Sequence, residues 1–220
     1  MRFLRCFLDA LFPMDCVCSI CDCEGALDEH GLCSDCADQI KLEPFKRIDI
    51  SNITCLISFI RYDDIARNCI HRFKFQDKRY LADLFAGYMR IPEEWSADVI
   101  VPVPLHTKRF RERGYNQAEL LARRISEKSG IPLDKKLLCR IRNTEKQSLT
   151  ESAGLRASNV MDAFLASNAA ACHNIILVDD VCTTGSTLSE CAKELKGKGA
   201  YNVYAVTACY AGISKYESDY

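Results

Sequence analysis

The feature that most constrains this chain is Ile175-Ile176-Leu177-Val178-Asp179-Asp180-Val181-Cys182-Thr183-Thr184-Gly185-Ser186-Thr187, an apolar run ending in two carboxylates and a small, hydroxyl-rich loop. Branched apolar residues in unbroken succession suit a buried strand, and the loop after them has too little bulk to continue a sheet. A helix is predicted next, capped by Ser186 and Thr187 and burying Leu188, Ala192 and Leu195. Strand, turn and helix N-terminus together make a phosphate site. The first backbone N–H groups of a helix have no internal partner, and Gly185 removes the side chain that would block close approach. The acidic pair then faces whatever hangs from that phosphate. Two carboxylates beside a phosphate cradle suit a sugar phosphate with vicinal hydroxyls, or a magnesium ion, better than a bare phosphate.

Two other phosphate-handling classes fit poorly. The chain contains no glycine-rich loop ending in Gly-Lys-Ser or Gly-Lys-Thr, so a nucleoside triphosphatase would lack its main grip. A receiver domain carries its acidic pair on the first strand, whereas nearly the whole chain precedes this one. The run Val178 to Thr187 resembles the phosphoribosyl pyrophosphate (PRPP) loop of type I phosphoribosyltransferases. That resemblance implies that Asp179 and Asp180 bind the ribose hydroxyls, while Thr183, Thr184, Gly185, Ser186 and Thr187 hold the 5′-phosphate.

With 220 residues the chain can bury a real core, and its length favours one main domain plus a small appendage. A net charge of -1 gives no global attraction to nucleic acid or anionic membrane, so any such binding needs a local patch. Arg5 and Asp9 interrupt Met1 to Phe12, which therefore carries no secretory pattern. No stretch reaches the ~18 apolar residues of a membrane span. The reading is a cytoplasmic protein without an integral membrane segment, in which fourteen cysteines mean metal or chemistry before disulfides. Phe3, Leu4, Phe7, Leu8, Leu11 and Phe12 recur at helical spacing and predict a short amphipathic helix before Pro13.

Six cysteines crowd between Asp15 and Cys36. Cys18-Ser-Ile-Cys21 and Cys33-Ser-Asp-Cys36 form two C-x-x-C knuckles, each able to place two thiolates on one tetrahedral metal. Four protein ligands imply a structural zinc ion, since a catalytic one keeps an open position. Cys16 and Cys23 offer rival registers; Cys18, Cys21, Cys33 and Cys36 are favoured because only this set gives both pairs the usual two-residue spacer. Composition changes from loop-like to core-like after Pro44, which divides the chain into residues 1–46, an N-terminal helix and zinc ribbon, and residues 47–220.

Within the larger part, Ile53 to Ile60 reads as a strand, followed by a helix carrying Ile65, Cys69, Ile70 and Phe73, and a second helix over Leu81 to Met89. Lys74, Lys78 and Arg79 read as solvated charges or as contacts to a phosphorylated ligand, with no pattern to choose between the two uses. Asp98 to Leu105 is a short buried strand that two prolines must end in a rigid exposed loop. Lys108, Arg109, Arg111 and Arg113 then place four cations within six positions, beside a strand end, where α/β folds bind ligands. A helix through Leu120, Leu121 and Ile125 follows. Residues Arg140 to Phe164 read as a surface loop and a short helix. Strand Val203 to Cys209, after helix Leu188 to Lys196, completes the alternation of a parallel α/β sheet. Gly212 to Tyr220 reads as a frayed end.

Taken together, the twin knuckles, Pro102-Val103-Pro104-Leu105, Arg113-Gly114-Tyr115-Asn116-Gln117 and the PRPP loop, in this order, resemble the ComF family over essentially the whole chain. The resemblance implies a type I phosphoribosyltransferase-like parallel sheet flanked by helices, with a small N-terminal zinc ribbon. Its pyrophosphate loop falls on Pro102 to His106, so Pro104, Leu105 and His106, with Lys108 and Arg109, are implied PRPP contacts, and Arg113 joins Asp179 and Asp180 in the chemistry. The pattern Arg140, Thr144, Gln147, Arg156, Asn159 and Phe164 is similar to the hood of these enzymes, a cover that keeps bulk water from a ribosyl cation. The implied activity is transfer of ribosyl phosphate from PRPP, with magnesium, to an acceptor the sequence does not name. The family's association with natural competence implies a second reading, a PRPP-binding accessory without turnover that acts in DNA uptake. Asp22, Glu24, Asp28, Glu29, Asp35 and Asp38 make the ribbon acidic, which disfavours direct contact with DNA and favours a protein partner.

Overall fold

The structure, a computed structural model, describes residues 17–47, 49–142, 161–171 and 173–211. The helix expected over Phe3 to Phe12, Cys16, the hood positions Thr144, Gln147, Arg156 and Asn159, and the tail 212–220 lie outside the described residues. The chain forms two compact units, Met1–Lys41 and Leu42–Tyr220.

Short-range turns build the first unit. Asp22 N–H donates to the carbonyl of Cys18, and Cys18 N–H donates to that of Cys23. The carboxylate of Asp28 accepts the N–H groups of His30 and Leu32, both at 2.9 Å, and so closes the turn that leads into the second knuckle. A one-turn helix, α1 (Ser34–Ala37), carries Cys36.

In the second unit, β6 (Asn174–Cys182) and β7 (Asn202–Tyr210) are the sheet's central pair, and the side chains of Ile175 to Val178 are wholly buried. Strand order is β1-β2-β7-β6-β3, with β1 at Leu42–Arg47, β2 at Cys55–Arg61 and β3 at Val99–Pro102. The pairs β2–β7, β7–β6 and β6–β3 are parallel, as the alternation of strands and helices predicts. The sheet is nevertheless mixed, because β1 pairs antiparallel to β2. Residues 48–54 are too few for a crossover, so the chain can only fold back on itself there. The two prolines act as expected: β3 is an edge strand, and it ends at Pro102.

The described residues of this unit form five α-helices. Helix α2 (Asp64–Phe75) buries Cys69, Ile70 and Phe73, and α3 is Leu81–Tyr88. Helix α4 (Thr107–Arg113) occupies the stretch read from sequence only as a basic segment. It buries no side chain, so it has no apolar periodicity to betray it. Its ends are local: His106 Nδ1 accepts the Lys108 N–H, and Gly114 closes it at φ +77°. Helix α5 (Gln117–Ser129) lies against β3 and β6, and α6 (Ser186–Gly197) against β6 and β7. The ends of the segment expected to be loop and short helix are instead strands, β4 (Leu138–Arg140) and β5 (Phe164–Ala166), paired antiparallel in a separate small sheet. Three-residue strands alternate too briefly to leave a period-2 signal.

Asp63 caps α2, accepting the N–H groups of Ile65 at 3.1 Å and Ala66 at 3.0 Å. Asp63→Ala should therefore lower unfolding stability by about 1 kcal/mol, read as a reduced denaturant midpoint with an unchanged slope.

Candidate functional site

Asp179 and Asp180 are consecutive strand residues, so their side chains leave opposite faces of β6. Asp180 meets α2: its Oδ2 lies 2.8 Å from Lys74 Nζ, with only 8% of the Asp180 side chain exposed. Burial alone would weaken the ammonium of Lys74, but the Asp180 charge outweighs it and raises the Lys74 pKa. Asp179 accepts the Asp180 N–H at 2.9 Å. Its carboxyl is pushed up from 3.8 to about 7, first by burial and then by the Asp180 charge, against the pull of Lys74 and Arg140. Asp180 thus has an internal cation beside it, while Asp179 gives up its proton less readily than an ordinary carboxyl. Lys74 is the residue that sequence reasoning left undecided; as a last-turn lysine between Phe73 and Phe75 it gave no sign of a partner on a distant strand.

Further cations gather near this strand end. Burial pulls the Arg113 guanidinium pKa down, and it packs on the Phe75 ring with 4.9 Å to the centroid. Arg109 is lowered by burial and then by the charges of Arg140 and Arg113, which puts it within the fields of both guanidinium groups. Arg140 itself lies over the Phe164 ring at 5.1 Å, at the β4–β5 pair. Mutually repelling, partly desolvated arginines are an environment that favours a polyanion. Lys108 is exposed, and His106 is engaged as the α4 cap. Pro104 and Leu105 line a cavity of about 290 Å³ together with Pro102, Phe110, Arg111 and Lys135; its lining includes neither carboxylate nor the 183–187 loop.

The loop after β6 corrects one expectation from sequence. The N-cap of α6 is Gly185 and no side chain caps it; Ser186 and Thr187 are already helical. Thr184 Oγ1 and Ser186 Oγ bond each other at 2.8 Å instead. Ser186 N–H turns to Thr184 Oγ1 at 3.4 Å, and Gly185 has no side chain to cap the N–H groups after it, which suits an incoming anion. Gly185 has φ +83°, and a Cβ there would lie 2.7 Å from Ile50 Cδ1, so glycine is needed for both conformation and space.

The segment Arg113-Gly114-Tyr115-Asn116-Gln117 works as a brace. Asn116 caps α5 through the Ala118 N–H and ties back to the Val103 carbonyl at 3.0 Å. Tyr115 Oη and Gln117 Nε2 both donate to the carbonyl of Phe73, at the C-terminal end of α2. Arg113 Nη1 donates to Gln117 Oε1 at 3.0 Å.

In the first unit, the sulfurs of Cys18, Cys21, Cys33 and Cys36 all lie within 4.8 Å of one another. Thiolates on a tetrahedral ion at ~2.3 Å would sit about 3.8 Å apart, and Cys21 and Cys33 are already at 3.8 Å. The cluster can hold a metal ion, and its all-sulfur donor set suits zinc. Cys23 is not in the cluster; its sulfur contacts the Cys21 carbonyl. Burial opposes ionisation of Cys18, but backbone hydrogen bonds at Cys21, Cys33 and Ile20 outweigh it and bring the thiol down to about 6. Cys36 is driven up by burial and by the neighbouring thiols. Four thiolates so close cannot all ionise unless a cation is shared among them.

A family described as phosphoribosyl transferase domain matches residues 87–220. Competence protein F of Haemophilus influenzae is 32% identical over 82% of this chain and 92% of its own length. Competence protein ComFC of Bacillus subtilis is 30% identical, covering 83% of this chain and 72% of that protein. The chain belongs to the ComF family. This ComF protein carries a type I phosphoribosyltransferase fold, in a mixed, mostly parallel sheet. The DNA utilization protein YhgH of Salmonella typhi is a further relative, 28% identical over 88% of this chain. A solved glutamine PRPP amidotransferase from B. subtilis aligns at 20% identity and a TM-score of 0.39, over 59% of this chain and 25% of that one. Among the described residues of the ComF chain, no helix is long and apolar enough to cross a membrane.

Two measurements follow. Freshly purified protein should hold about one equivalent of zinc, removed together with the folded first unit by a strong chelator; less than about half an equivalent would contradict the thiolate cluster as a metal site. A carboxyl whose pKa is higher folded than unfolded binds its proton more tightly in the native state. The cost of ionising Asp179 is absent below its usual 3.8 and grows as pH climbs toward about 7. Asp179→Asn should therefore raise the melting temperature by a few degrees at pH 8 and little at pH 4.

Proposed function

We propose that the Leu42–Tyr220 unit binds PRPP with magnesium and transfers its ribosyl phosphate to an acceptor. The observation that carries this reading is the end of β6, where an acidic pair, a glycine-containing loop and the Gly185-capped N-terminus of α6 follow one another, near three partly desolvated arginines. In this reading Thr183 to Thr187 hold the 5′-phosphate, and Asp179 and Asp180 accept hydrogen bonds from the ribose hydroxyls. Arg109, Arg113 and Arg140, with Lys108 at the rim, face the diphosphate. Magnesium bound with PRPP would add positive charge against the leaving diphosphate. The C1–O bond breaks with its electron pair passing to pyrophosphate, and a lone pair of the acceptor forms the new bond to C1. The acceptor's displaced proton passes to solvent. The carboxylates stabilise the positive charge that develops on the ring, and the guanidinium groups stabilise the negative charge that develops on the leaving group. The zinc ribbon is assigned a structural role.

Names of the relatives favour a second reading. Proteins called competence protein F and DNA utilization protein match most of the chain, which supports a PRPP-binding accessory that acts in DNA uptake without turnover. Carboxylates along the ribbon point such an accessory toward a protein partner.

Calorimetry with PRPP and magnesium should give saturable binding by the wild type, and Asp179→Asn/Asp180→Asn should weaken it by at least about 100-fold, as expected for losing two hydrogen-bonded charged acceptors. Absence of binding by the wild type would remove both readings. Pyrophosphate release on adding an acceptor supports the enzyme, whereas tight binding without release across a broad panel of nucleobases and amines supports the accessory.

A further inference from the structure

Lys74 belongs to no motif in the chain, yet it makes the shortest polar contact to the acidic pair from outside β6. Its ammonium lies 2.8 Å from Asp180 Oδ2, in a pair whose side chains are only 24% and 8% exposed. A partly buried ion pair of this kind is expensive to break from one side, because the remaining charge has no solvent to turn to. Asp180 without Lys74 would lose its ion-pair contact and turn toward water, and it would no longer present a fixed acceptor at the end of the strand.

Lys74 is in turn held from behind. It sits in the last turn of α2, where helix carbonyls lack internal partners. The carbonyl of the residue before it, Phe73, receives two side-chain donors, Tyr115 Oη and Gln117 Nε2. The Phe73 side chain is fully buried, with its ring 6.1 Å from that of Tyr115 and 5.9 Å from that of Phe85. Gln117 is oriented by Arg113, so a run of contacts leads from Arg113 through Gln117 to the backbone beside Lys74. The Arg113–Gln117 segment thus does more than contribute cations.

We propose that Lys74 is a positioning residue of the ribose-phosphate site: it fixes the Asp180 carboxylate as a charged hydroxyl acceptor, and the Arg113–Gln117 segment sets Lys74 by bracing the Phe73 carbonyl. The inference rests on the assignment of Asp179 and Asp180 to ribose hydroxyls. It deepens that assignment by adding a residue from a different element, and it gives the Arg-Gly-Tyr-Asn-Gln segment a mechanical task.

The test is a binding cycle on the full chain, with PRPP and magnesium as one probe and inorganic phosphate, which has no hydroxyl-bearing ring, as the other. Lys74→Met should weaken PRPP at least about tenfold, the loss of a charge-assisted hydrogen bond, and leave phosphate affinity within about twofold. Lys74→Arg should restore most of the PRPP affinity. In an Asp180→Asn background, Lys74→Met should cost nothing further. Tyr115→Phe, which removes only one donor to the brace, should weaken PRPP by about two- to fivefold and keeps the test available if Lys74→Met does not fold. Wild type that binds no PRPP sinks the underlying assignment. Wild type that binds PRPP with Lys74→Met or Tyr115→Phe unchanged sinks the positioning role, as does a loss of equal size in the Asp180→Asn background, which would mean that Lys74 acts on the ligand directly.

Discussion

Two carboxylates on adjacent residues, at the end of a strand whose preceding side chains are fully buried, repel each other and resist desolvation. Nearly everything around the site answers that constraint. The β6 alternation sends the charges to opposite faces, which is the largest separation that neighbouring residues allow. On one face Lys74 supplies a counter-ion to Asp180; on the other, burial and the Asp180 charge raise the Asp179 pKa against the pull of Lys74 and Arg140. Such an arrangement stores destabilisation where an incoming ligand can release it, a common bargain at functional sites.

Electrostatic compensation also explains the traffic between elements. Lys74 comes from α2, Arg109 and Arg113 from α4, and Arg140 from β4, so the local charge is balanced only when four separately folded elements are in place. The segment that directly follows the charge run, Arg113 to Gln117, spends Tyr115, Asn116 and Gln117 on backbone carbonyls that fix α2 and the end of β3. Its polar residues are buried because they cap what helices and strands leave unpaired.

Much of this was legible in the sequence, for reasons that differ by element. Strand β6, its loop and the following helix are contiguous, so composition and spacing carried the site without tertiary information. The twin knuckles were equally readable, because chelation by C-x-x-C is a local geometry, and the four sulfurs converge accordingly. Helix α4 escaped because it buries nothing, and β4 and β5 because three residues cannot display a period. Antiparallel β1 begins at Leu42, in a stretch whose composition still read as loop. Gly185 was recognised as a turn residue, but its capping role was assigned to Ser186 and Thr187, since hydroxyl side chains are stronger cap formers than glycine in the absence of a ligand. Lys74 was undecided because an ion pair between distant segments leaves no trace in either one alone.

The β4–β5 pair has a topological consequence. Ile141 N–H donates to the Ala163 carbonyl at 2.9 Å, and Arg142 Nη1 donates to the Met161 carbonyl at 2.9 Å. The described residues on either side of positions 143–160 are therefore stitched together as one doorway, with Arg140 and Phe164 as its jambs. An insertion bounded in this way can change length or composition without altering the register of the main sheet. The part of the chain best placed to diversify between relatives is thus flanked by a single fixed point, whose Arg140 lies in the field of Asp179.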